Sequence, residues 1–174
     1  SALAVKYNTS LVVGMAEYVD ADGTEKPKLF DSAVLIDSSG AILHVHRKIN
    51  ILTTLMKPPY TKGNTSAGPS GNVAAVPTDC CGKVGIVICA DTFVDSILAS
   101  LAQQQPDFVM VPYGWSGCPL NDPQAKGCQP HGDPDAWPIH GPDLTKRIAH
   151  VANVTGAVVV GTDCVGQQLV GPWQ

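Results

Sequence analysis

Short apolar runs separated by polar turns occupy the first 50 residues of the chain. Residues 11–16 (LVVGMA) and 32–36 (SAVLI) are aliphatic and partly β-branched, which is typical of buried strands. The turn-forming residues 37–40 (DSSG) separate the second run from a third at 41–46. This arrangement predicts that the second and third runs pair as an antiparallel hairpin.

Strands and helices alternate from residue 83 onward. Three runs are apolar on both faces, as expected of strands that are covered on both sides: residues 83–89 (KVGIVIC), 108–111 (FVMV) and 157–161 (AVVVG). The segments between them carry apolar residues at helical spacing. The first predicted helix is capped by Asp95 and ends at Pro106, and the second begins at Pro142 and ends at Gly156.

This order of elements predicts an α/β layer architecture in a single domain spanning residues 1–174. The hairpin at 32–46 is expected to make the sheet mixed rather than purely parallel. Residues 53–83, which are rich in Pro, Gly, Thr and Ser, are predicted to be mainly loop with one short strand near 73–76. We find no internal repeat and no linker that divides the chain.

The composition is that of a globular protein, with 44% hydrophobic and 15% charged residues among 174. The formal net charge of −4 argues against nucleic acid or an anionic membrane surface as a partner, because both bind basic faces. No apolar run approaches the roughly 18 residues that are needed to cross a bilayer. Neither nucleic acid nor membrane is therefore expected as a partner.

The six cysteines are sparse for a chain of this length, so the sequence does not require a disulfide scaffold. Cys80 and Cys81 are adjacent, a spacing at which a bridge is strained and uncommon. Cys118 and Cys128 share one loop and can pair if the protein is exported. The N-terminal residues lack the order of a signal peptide, which favours the cytoplasm. Three N-x-S/T sequons favour export instead: Asn8, Asn64 and Asn153.

The clearest sign of chemistry is a cysteine at the carboxyl end of a predicted buried strand. Residues 85–91 (GIVICAD) place Cys89 just before a helix, at the sheet edge where ligands bind in open α/β sheets. A tight turn there exposes the sulfur and leaves backbone N–H groups free to meet an oxyanion. The ordinary alternative is that Cys89 is a small buried apolar side chain.

A second segment, residues 44–49 (HVHRKI), ends a predicted strand with two consecutive cations. Alone, Lys48 is typical of a solvated strand edge. Together with Cys89, 41 positions later, it resembles the nitrilase superfamily of carbon–nitrogen hydrolases, in which one strand ends in Arg-Lys and a later one in Cys-x-Asp. Four segments follow that family's order and cover most of residues 1–166: LVVGMAEY, SAVLIDSSGAILHVHRKIN, GKVGIVICADTFVDSILASLAQQQPDFVMVPYGW and RIAHVANVTGAVVVGTDCVG.

The resemblance implies an αββα sandwich of mixed sheets covered by helices, and a Glu–Lys–Cys triad that uses no metal and no organic cofactor. Carried over by position, Cys89 is the nucleophile, Lys48 stabilises the oxyanion, and the backbone N–H of Ala90 completes the oxyanion hole. Tyr113 and Trp115 match positions that line the family's substrate pocket, although ordinary packing also explains them. Members of the family associate with one another, so a homodimer or higher homo-oligomer is expected.

Elementary chemistry agrees with this pair of residues. The thiolate is the attacking form of a cysteine, and a nearby ammonium lowers the pKa of a thiol. The same ammonium then faces the developing oxyanion, where one well-placed donor contributes roughly 3–4 kcal/mol. The expected intermediate is a thioester acyl-enzyme that water hydrolyses.

The family's glutamate base has no counterpart upstream of Lys48. Of the two glutamates in the chain, one lies in a polar turn, and Glu17 follows the first strand where the family often has a glutamate that is not the base. Between Lys48 and Cys89, where the family has an assisting glutamate, the only acid is Asp79. Residues 2–7 also resemble the end of a helix. We therefore expect a fragment that lacks the family's first strand and helix and its C-terminal strands.

The residues around the nucleophile narrow the expected substrate. Nitrilases of this family usually carry Cys-Trp-Glu at the nucleophile, whereas residues 89–91 of this chain are Cys-Ala-Asp. This difference favours an amide or an N-carbamoyl compound over a nitrile as the small-molecule substrate. Residues 116–141, which include Trp137 and His140, are predicted to cover the pocket.

Three other interpretations use the same residues. A papain-like hydrolase would pair Cys89 with His131 or His140. An inactive homologue would keep the fold as a binding or assembly domain, with Cys89 no more reactive than an ordinary thiol. Candidate zinc ligands are also present, but their spacings fit no compact motif: Cys118, Cys128, His131 and His140 in one loop, and His44 and His46 on one strand face.

Overall fold

Two β-sheets form the framework, and the N-terminal strands build the first. The computed structural model describes residues 1–20, 23, 27–51, 66–69, 71, 73–114 and 137–163, with the backbone alone for 137–143. A short helix, α1 (Ala2–Tyr7), ends at Asn8 in the left-handed conformation. Three antiparallel strands follow in the spatial order β1, β2, β3: β1 (Leu11–Val19), β2 (Lys28–Ile36) and β3 (Ile42–Arg47).

The second sheet has four strands and is mixed. Strand β4 (Ala75–Thr78) pairs antiparallel with β5 (Gly82–Ile86), and the next two strands, β6 (Phe108–Pro112) and β7 (Val158–Thr162), continue the sheet in parallel. A 3₁₀ helix (Cys89–Phe93) and α2 (Asp95–Ala102) connect β5 to β6. Helix α3 (Trp137–Thr155) precedes β7 and ends at Gly156, whose φ of 70° lies in the left-handed region that favours glycine.

The core lies between the two sheets and under the helices. Ala33 and Leu35 of β2 alternate with the outward-facing residues of that strand and join one apolar cluster with the second sheet and the helices. Its other members with at most 2% exposure are Val84, Ile86, Val87, Val109, Val111, Leu98, Leu101 and Val151. The two sheets pack against each other, and helices pack on the second sheet. This arrangement confirms the predicted α/β sandwich class.

Most predicted elements are present, but three details of the prediction are wrong. The 32–46 hairpin does not make the main sheet mixed, because it belongs to a separate antiparallel sheet, and β4 is the antiparallel member of the other. Asp95 is the first residue of α2 rather than its cap, which is Val94. Helix α3 begins at Trp137 rather than at Pro142, because residues 137–142 (WPIHGP) contain two prolines and a glycine, which sequence patterns do not place inside a helix.

Two further findings concern the surface chemistry of the chain. Cys80 and Cys81 are joined by a disulfide in the turn that connects β4 to β5, although bridges between neighbouring residues are uncommon. Cys118 and Cys128 lie outside the described residues. In the described part of the chain, no helix has both the length and the apolarity to cross a membrane.

The segment 66–69 lies directly against the end of β3. The backbone N–H of Gly68 donates to the carbonyl of Lys48 at 2.8 Å, and that of Ser66 donates to the carbonyl of Leu29 at 2.6 Å. A Cβ added at Gly68 would collide with the carbonyl oxygen of Arg47 and lie 2.7 Å from its Cβ. Only glycine therefore allows this close approach.

We predict that Gly68→Ala lowers the free energy of unfolding by about 1–3 kcal/mol, because backbone atoms must move to admit the methyl group. Urea unfolding of the purified variant measures the change. The matched control is Gly71→Ala, since an added Cβ at that exposed position meets no atom within 4 Å. Equal stability of the two variants would contradict the close approach at Gly68.

Candidate active site

Arg47 and Lys48 are neighbours in sequence but lie on opposite faces of the first sheet. Arg47 pairs with Ser32 in the antiparallel ladder, and His46 pairs with Ala33 on the face that packs toward the second sheet. The backbone N–H of Lys48 donates to the carbonyl of Asp31 at 2.8 Å, which continues the ladder by one step. Because side chains alternate along a strand, Lys48 shares the inner face with His46.

On the outer face, Glu17 holds Arg47. The guanidinium donates to the carboxylate through Nε at 2.9 Å and Nη2 at 2.6 Å, and Ser32 Oγ donates to the same carboxylate at 2.7 Å. The guanidinium also lies 4.4 Å from the centre of the Phe30 ring. These hydrogen bonds lower the pKa of Glu17. Glu17 is therefore a structural partner of Arg47 and not a free base beside Lys48.

On the inner face, Lys48 meets a carboxylate. Its Nζ donates to Oδ2 of Asp31 at 2.9 Å, between residues that face each other across the ladder. The Lys48 side chain is 15% exposed and that of Asp31 is 39% exposed. The pair thus lies at the rim of the site, with the ammonium on the protein side and part of the carboxylate open to water.

Cys89 lies where the chain turns from β5 into the 3₁₀ helix. Its φ of 41° is in the left-handed region, which is unfavourable for a residue with a side chain and clusters at functional sites. Thr92 supports the turn, because its Oγ1 donates to the Cys89 carbonyl at 2.7 Å. The cysteine is 8% exposed and is the only free cysteine in the part of the chain that the structure describes. Strand β5 ends before Cys89 because this turn breaks the extended conformation.

The Asp91 carboxylate joins the two segments of the site. Its Oδ1 accepts the backbone N–H groups of Ile49 at 3.0 Å and Asn50 at 2.7 Å, directly after Lys48. Its Oδ2 accepts the N–H of Ile88 at 3.0 Å and lies 2.9 Å from Nε2 of His46. Both the Asp91 and His46 side chains are fully buried. A second link is the Asn50 side chain, which donates to the carbonyl of Ala90 at 2.8 Å.

The electrostatic environment of the Cys89 thiol combines opposing effects. Burial raises its pKa, and the charge of Lys48 and a hydrogen bond from the Gly114 backbone oppose that rise. The carboxylates of Asp31 and Asp163 raise it further, so the net shift is upward. The sequence-based expectation that the ammonium lowers the thiol pKa is correct in direction for that contribution, but burial outweighs it.

The carboxyl ends of the three parallel strands meet at this edge of the second sheet. Tyr113 follows β6, and its N–H donates to the Thr162 carbonyl of β7 at 2.7 Å. Burial raises the pKa of Tyr113 to about 12, while a hydrogen bond with the side chain of Thr92 opposes the rise. Tyr113 is therefore a neutral phenol beside the cysteine turn. Trp115, the other predicted pocket residue, lies outside the described residues.

Sequence reasoning missed three neighbours of the thiol, namely Asp31, Gly114 and Asp163. Asp31 could have been found by extending the register of the predicted hairpin one step past Arg47, but a β-bulge between Leu35 and Ile36 shifts that count. Gly114 and Asp163 lie directly beyond predicted strands, where only the parallel alignment of β6 and β7 brings them near Cys89.

The described part of the chain adds no support for the papain-like interpretation or for the zinc interpretation. No group of three or more His, Cys, Asp or Glu side chains within the described ranges could hold a metal ion. His44 and His46 have ring centroids 6.5 Å apart, and His46 contacts Asp91 instead. Cys118, Cys128 and His131 lie outside the described residues, and the side chain of His140 is not described.

Comparison with known proteins identifies similar sequences and folds. A family model described as carbon-nitrogen hydrolase matches residues 1–127. A carbon-nitrogen hydrolase from Helicobacter pylori G27 is 19% identical, with a TM-score of 0.67, covering 97% of this chain and 50% of that one. Nit3 of Saccharomyces cerevisiae, a member of branch 10 of the nitrilase superfamily, is 16% identical with a TM-score of 0.65, covering 98% and 51%.

The NitFhit protein of C. elegans is also similar, at 17% identity and a TM-score of 0.67, covering 99% of this chain and 36% of that one. At these identities the three structures establish a shared fold. By the coverage values, the chain spans about half or less of the length of these three solved structures. No curated protein matches the chain.

We predict that Asp91→Asn lowers the free energy of unfolding by about 1–3 kcal/mol. The amide keeps the size of the side chain, but its NH₂ group would face donors that the carboxylate now accepts. The matched control is Asp95→Asn. The Asp95 side chain is 83% exposed, and its carboxylate contacts Nε2 of His150 at 3.1 Å. Urea unfolding of both variants tests the difference, and equal stabilities would contradict a joining role for Asp91.

Proposed function

Because the chain belongs to the carbon–nitrogen hydrolase family, we propose that it hydrolyses a non-peptide carbon–nitrogen bond through a cysteine acyl-enzyme. Cys89 is the nucleophile in this proposal, and Lys48 stabilises the oxyanion. The observation that carries it is geometric: the buried Asp91 carboxylate accepts backbone N–H groups directly after Lys48 and directly before Cys89, and the Asn50 side chain donates to the carbonyl of Ala90. In this proposal, two residues that lie 41 positions apart in sequence act in one site.

The proposed reaction has two stages. Cys89 Sγ attacks the substrate carbonyl carbon, and the oxygen becomes an oxyanion that faces Lys48 Nζ and the backbone N–H of Ala90. Collapse of this intermediate breaks the carbon–nitrogen bond, and the amine leaves with a proton. Water then attacks the thioester, which releases the carboxylic acid and restores the thiol.

Several described contacts support the placement of the proposed oxyanion donors. Asp91 and Asn50 hold the chain just after Lys48 against the turn that contains Ala90. Catalysis of acyl transfer depends on donors that are positioned before the reaction, since their reorganisation would otherwise raise the barrier. Tyr113 remains a proposed wall of the substrate pocket, because its neutral phenol adds a polar group without adding charge.

The proposed substrate is an amide or an N-carbamoyl compound rather than a nitrile. The support is the Cys-Ala-Asp sequence at residues 89–91, together with the use of Asp91 in backbone hydrogen bonds. The residue after the proposed nucleophile is alanine, so no large side chain lies there, and Ala90 is fully buried. An inactive homologue acting as a binding or assembly domain is the competing function.

We predict that Cys89→Ala abolishes hydrolysis and that Lys48→Met lowers turnover by about 10²–10³-fold. Loss of the ammonium also raises the pKa of the thiol, so the pH midpoint of Cys89 alkylation should move upward. Alkylation followed by mass spectrometry reports this shift without requiring turnover. The matched control is Lys83→Met, because Lys83 is exposed and its side-chain amine donates to a backbone carbonyl, that of Gln104, at 3.2 Å.

An unchanged alkylation midpoint in Lys48→Met would contradict contact between the two groups. Activity that persists in Cys89→Ala would contradict the nucleophile assignment. A wild-type protein whose thiol alkylates with an ordinary pH dependence, and which hydrolyses nothing, would support the binding or assembly function instead.

We predict that, for one organic group R presented as the amide R–CO–NH₂, the N-carbamoyl compound R–NH–CO–NH₂ and the nitrile R–CN, the first two are hydrolysed faster than the nitrile. Ammonia or amine release, measured at equal substrate concentration, gives the comparison. The Cys89→Ala variant provides the background rate. Faster hydrolysis of the nitrile would overturn the proposed substrate class while leaving the thiol mechanism in place.

A further inference from the structure

His46 is a buried side chain of the site that the proposed reaction does not use. It lies on the inner face of β3, two positions before Lys48, and its side chain is fully buried. Burial of a polar ring is costly unless its nitrogen atoms form hydrogen bonds. The contacts of the two ring nitrogens therefore indicate what this histidine contributes.

The two ring nitrogens of His46 differ in their surroundings. Nε2 lies 2.9 Å from Oδ2 of Asp91. Nδ1 is buried and has no hydrogen-bond partner among the described residues. Because a carboxylate accepts hydrogen bonds and donates none, the proton of the neutral imidazole must lie on Nε2 for this contact to be a hydrogen bond. His46 is therefore a donor to Asp91.

Four donors surround the Asp91 carboxylate, two on each oxygen. Oδ1 accepts the backbone N–H groups of Ile49 and Asn50, at 3.0 and 2.7 Å. Oδ2 accepts the backbone N–H of Ile88 at 3.0 Å and the Nε2–H of His46. A carboxylate has about four acceptor positions, so the set is complete. His46 is the one side chain among these four donors, and its loss would remove one of the two donors on Oδ2.

The oxygen that His46 contacts also fixes the start of the cysteine turn. Its other donor, the N–H of Ile88, directly precedes Cys89, whose φ of 41° is unfavourable for a residue with a side chain. Such a conformation persists only where the surrounding structure holds it. The direction of the Ala90 N–H follows from the dihedral angles of Cys89, because the peptide group between the two residues is planar. The position of Oδ2 therefore bears on two groups of the proposed reaction, the sulfur and the Ala90 N–H.

Resting on the proposed hydrolytic function, we propose that His46 is a positioning residue of this site. Its Nε2–H fixes the orientation of the Asp91 carboxylate, and the carboxylate holds the turn that carries Cys89 and the N–H of Ala90. Donors that are oriented before the reaction lower the barrier, since they need not reorganise as the oxyanion forms. His46 acts through Asp91, and the role requires no contact with substrate.

Removal of the donor should lower turnover more than it weakens substrate binding. In His46→Met, an apolar side chain fills the site but donates nothing to Oδ2. A displacement of about 1 Å at the reacting groups lowers the rate by about 10²-fold, so turnover should fall by about 10–10²-fold. KM should change little, because the oxyanion that the Ala90 N–H stabilises forms only in the transition state.

A second substitution at the same position separates hydrogen bonding from packing. In His46→Gln, the amide nitrogen can occupy the place of the imidazole Nε2 and donate to Asp91. Gln and Met side chains are unbranched and of similar length, so the two variants differ chiefly in that donor. Positioning predicts higher turnover for His46→Gln than for His46→Met. A role in core packing alone predicts the reverse order, because an amide is costlier to bury than a thioether.

The matched control is His44→Met, which makes the same change two positions earlier on the same strand face. Nε2 of His44 has no hydrogen-bond partner among the described residues, and the ring centroid lies 6.5 Å from that of His46. Turnover of this variant should equal that of the wild-type protein. Urea unfolding shows whether each variant is folded under the assay conditions. The ¹⁵N NMR spectrum of the histidine rings reports the tautomer of His46 in the wild-type protein without requiring turnover.

Higher turnover in His46→Gln than in His46→Met, with an unchanged KM and an Nε2–H tautomer in the wild-type protein, would support the assignment. Equal turnover in His46→Met and the wild-type protein would overturn it. Turnover in His46→Gln no higher than in His46→Met would do the same, as would an Nδ1–H tautomer or an equal loss in His44→Met. If the wild-type protein showed no turnover, or if Cys89→Ala retained it, the proposed function itself would fail, and the role of His46 in it would fail as well.

Discussion

The buried Asp91 carboxylate is the interaction on which the rest of the site depends. It accepts backbone N–H groups from both sides of the interface between the sheets, directly after Lys48 and directly before Cys89. Removing a carboxylate from water is costly unless its oxygens are well supplied with donors, and here they are. The ammonium-bearing segment and the cysteine turn are consequently joined by the side chain of Asp91, with the Asn50 side chain as a second link.

Because side chains alternate along β3, Arg47 at its end and Lys48 directly after it point to opposite faces of the sheet. Arg47 turns outward, where Glu17 and Phe30 hold it, and this contact keeps the end of the strand in place. Lys48 turns inward toward Asp31 and the second sheet. A shift of one residue in this ladder would exchange the two faces and put the guanidinium at the site. The Arg47–Glu17 contact therefore also secures the register on which the position of Lys48 depends.

The thiol environment combines strong burial with mixed charge. Burial raises the pKa of Cys89 more than the Lys48 ammonium lowers it, and two carboxylates add to the rise. A raised pKa lowers the fraction of thiolate, which is the form that attacks. The Asp31 carboxylate also accepts a hydrogen bond from the Lys48 ammonium at 2.9 Å.

The apolar pattern by itself predicted the strands and the two principal helices, because periodicity is a local property. The candidate pair Lys48 and Cys89 came from the resemblance of two strand ends to those of the carbon–nitrogen hydrolase family. Tertiary structure decided what local patterns do not encode. It separated the hairpin into its own sheet, engaged Glu17 with Arg47, and brought Asp31 and Asp163 to the thiol. Each of these depends on pairing between distant strands, and pairing is decided by the burial of whole faces rather than by neighbouring residues in sequence.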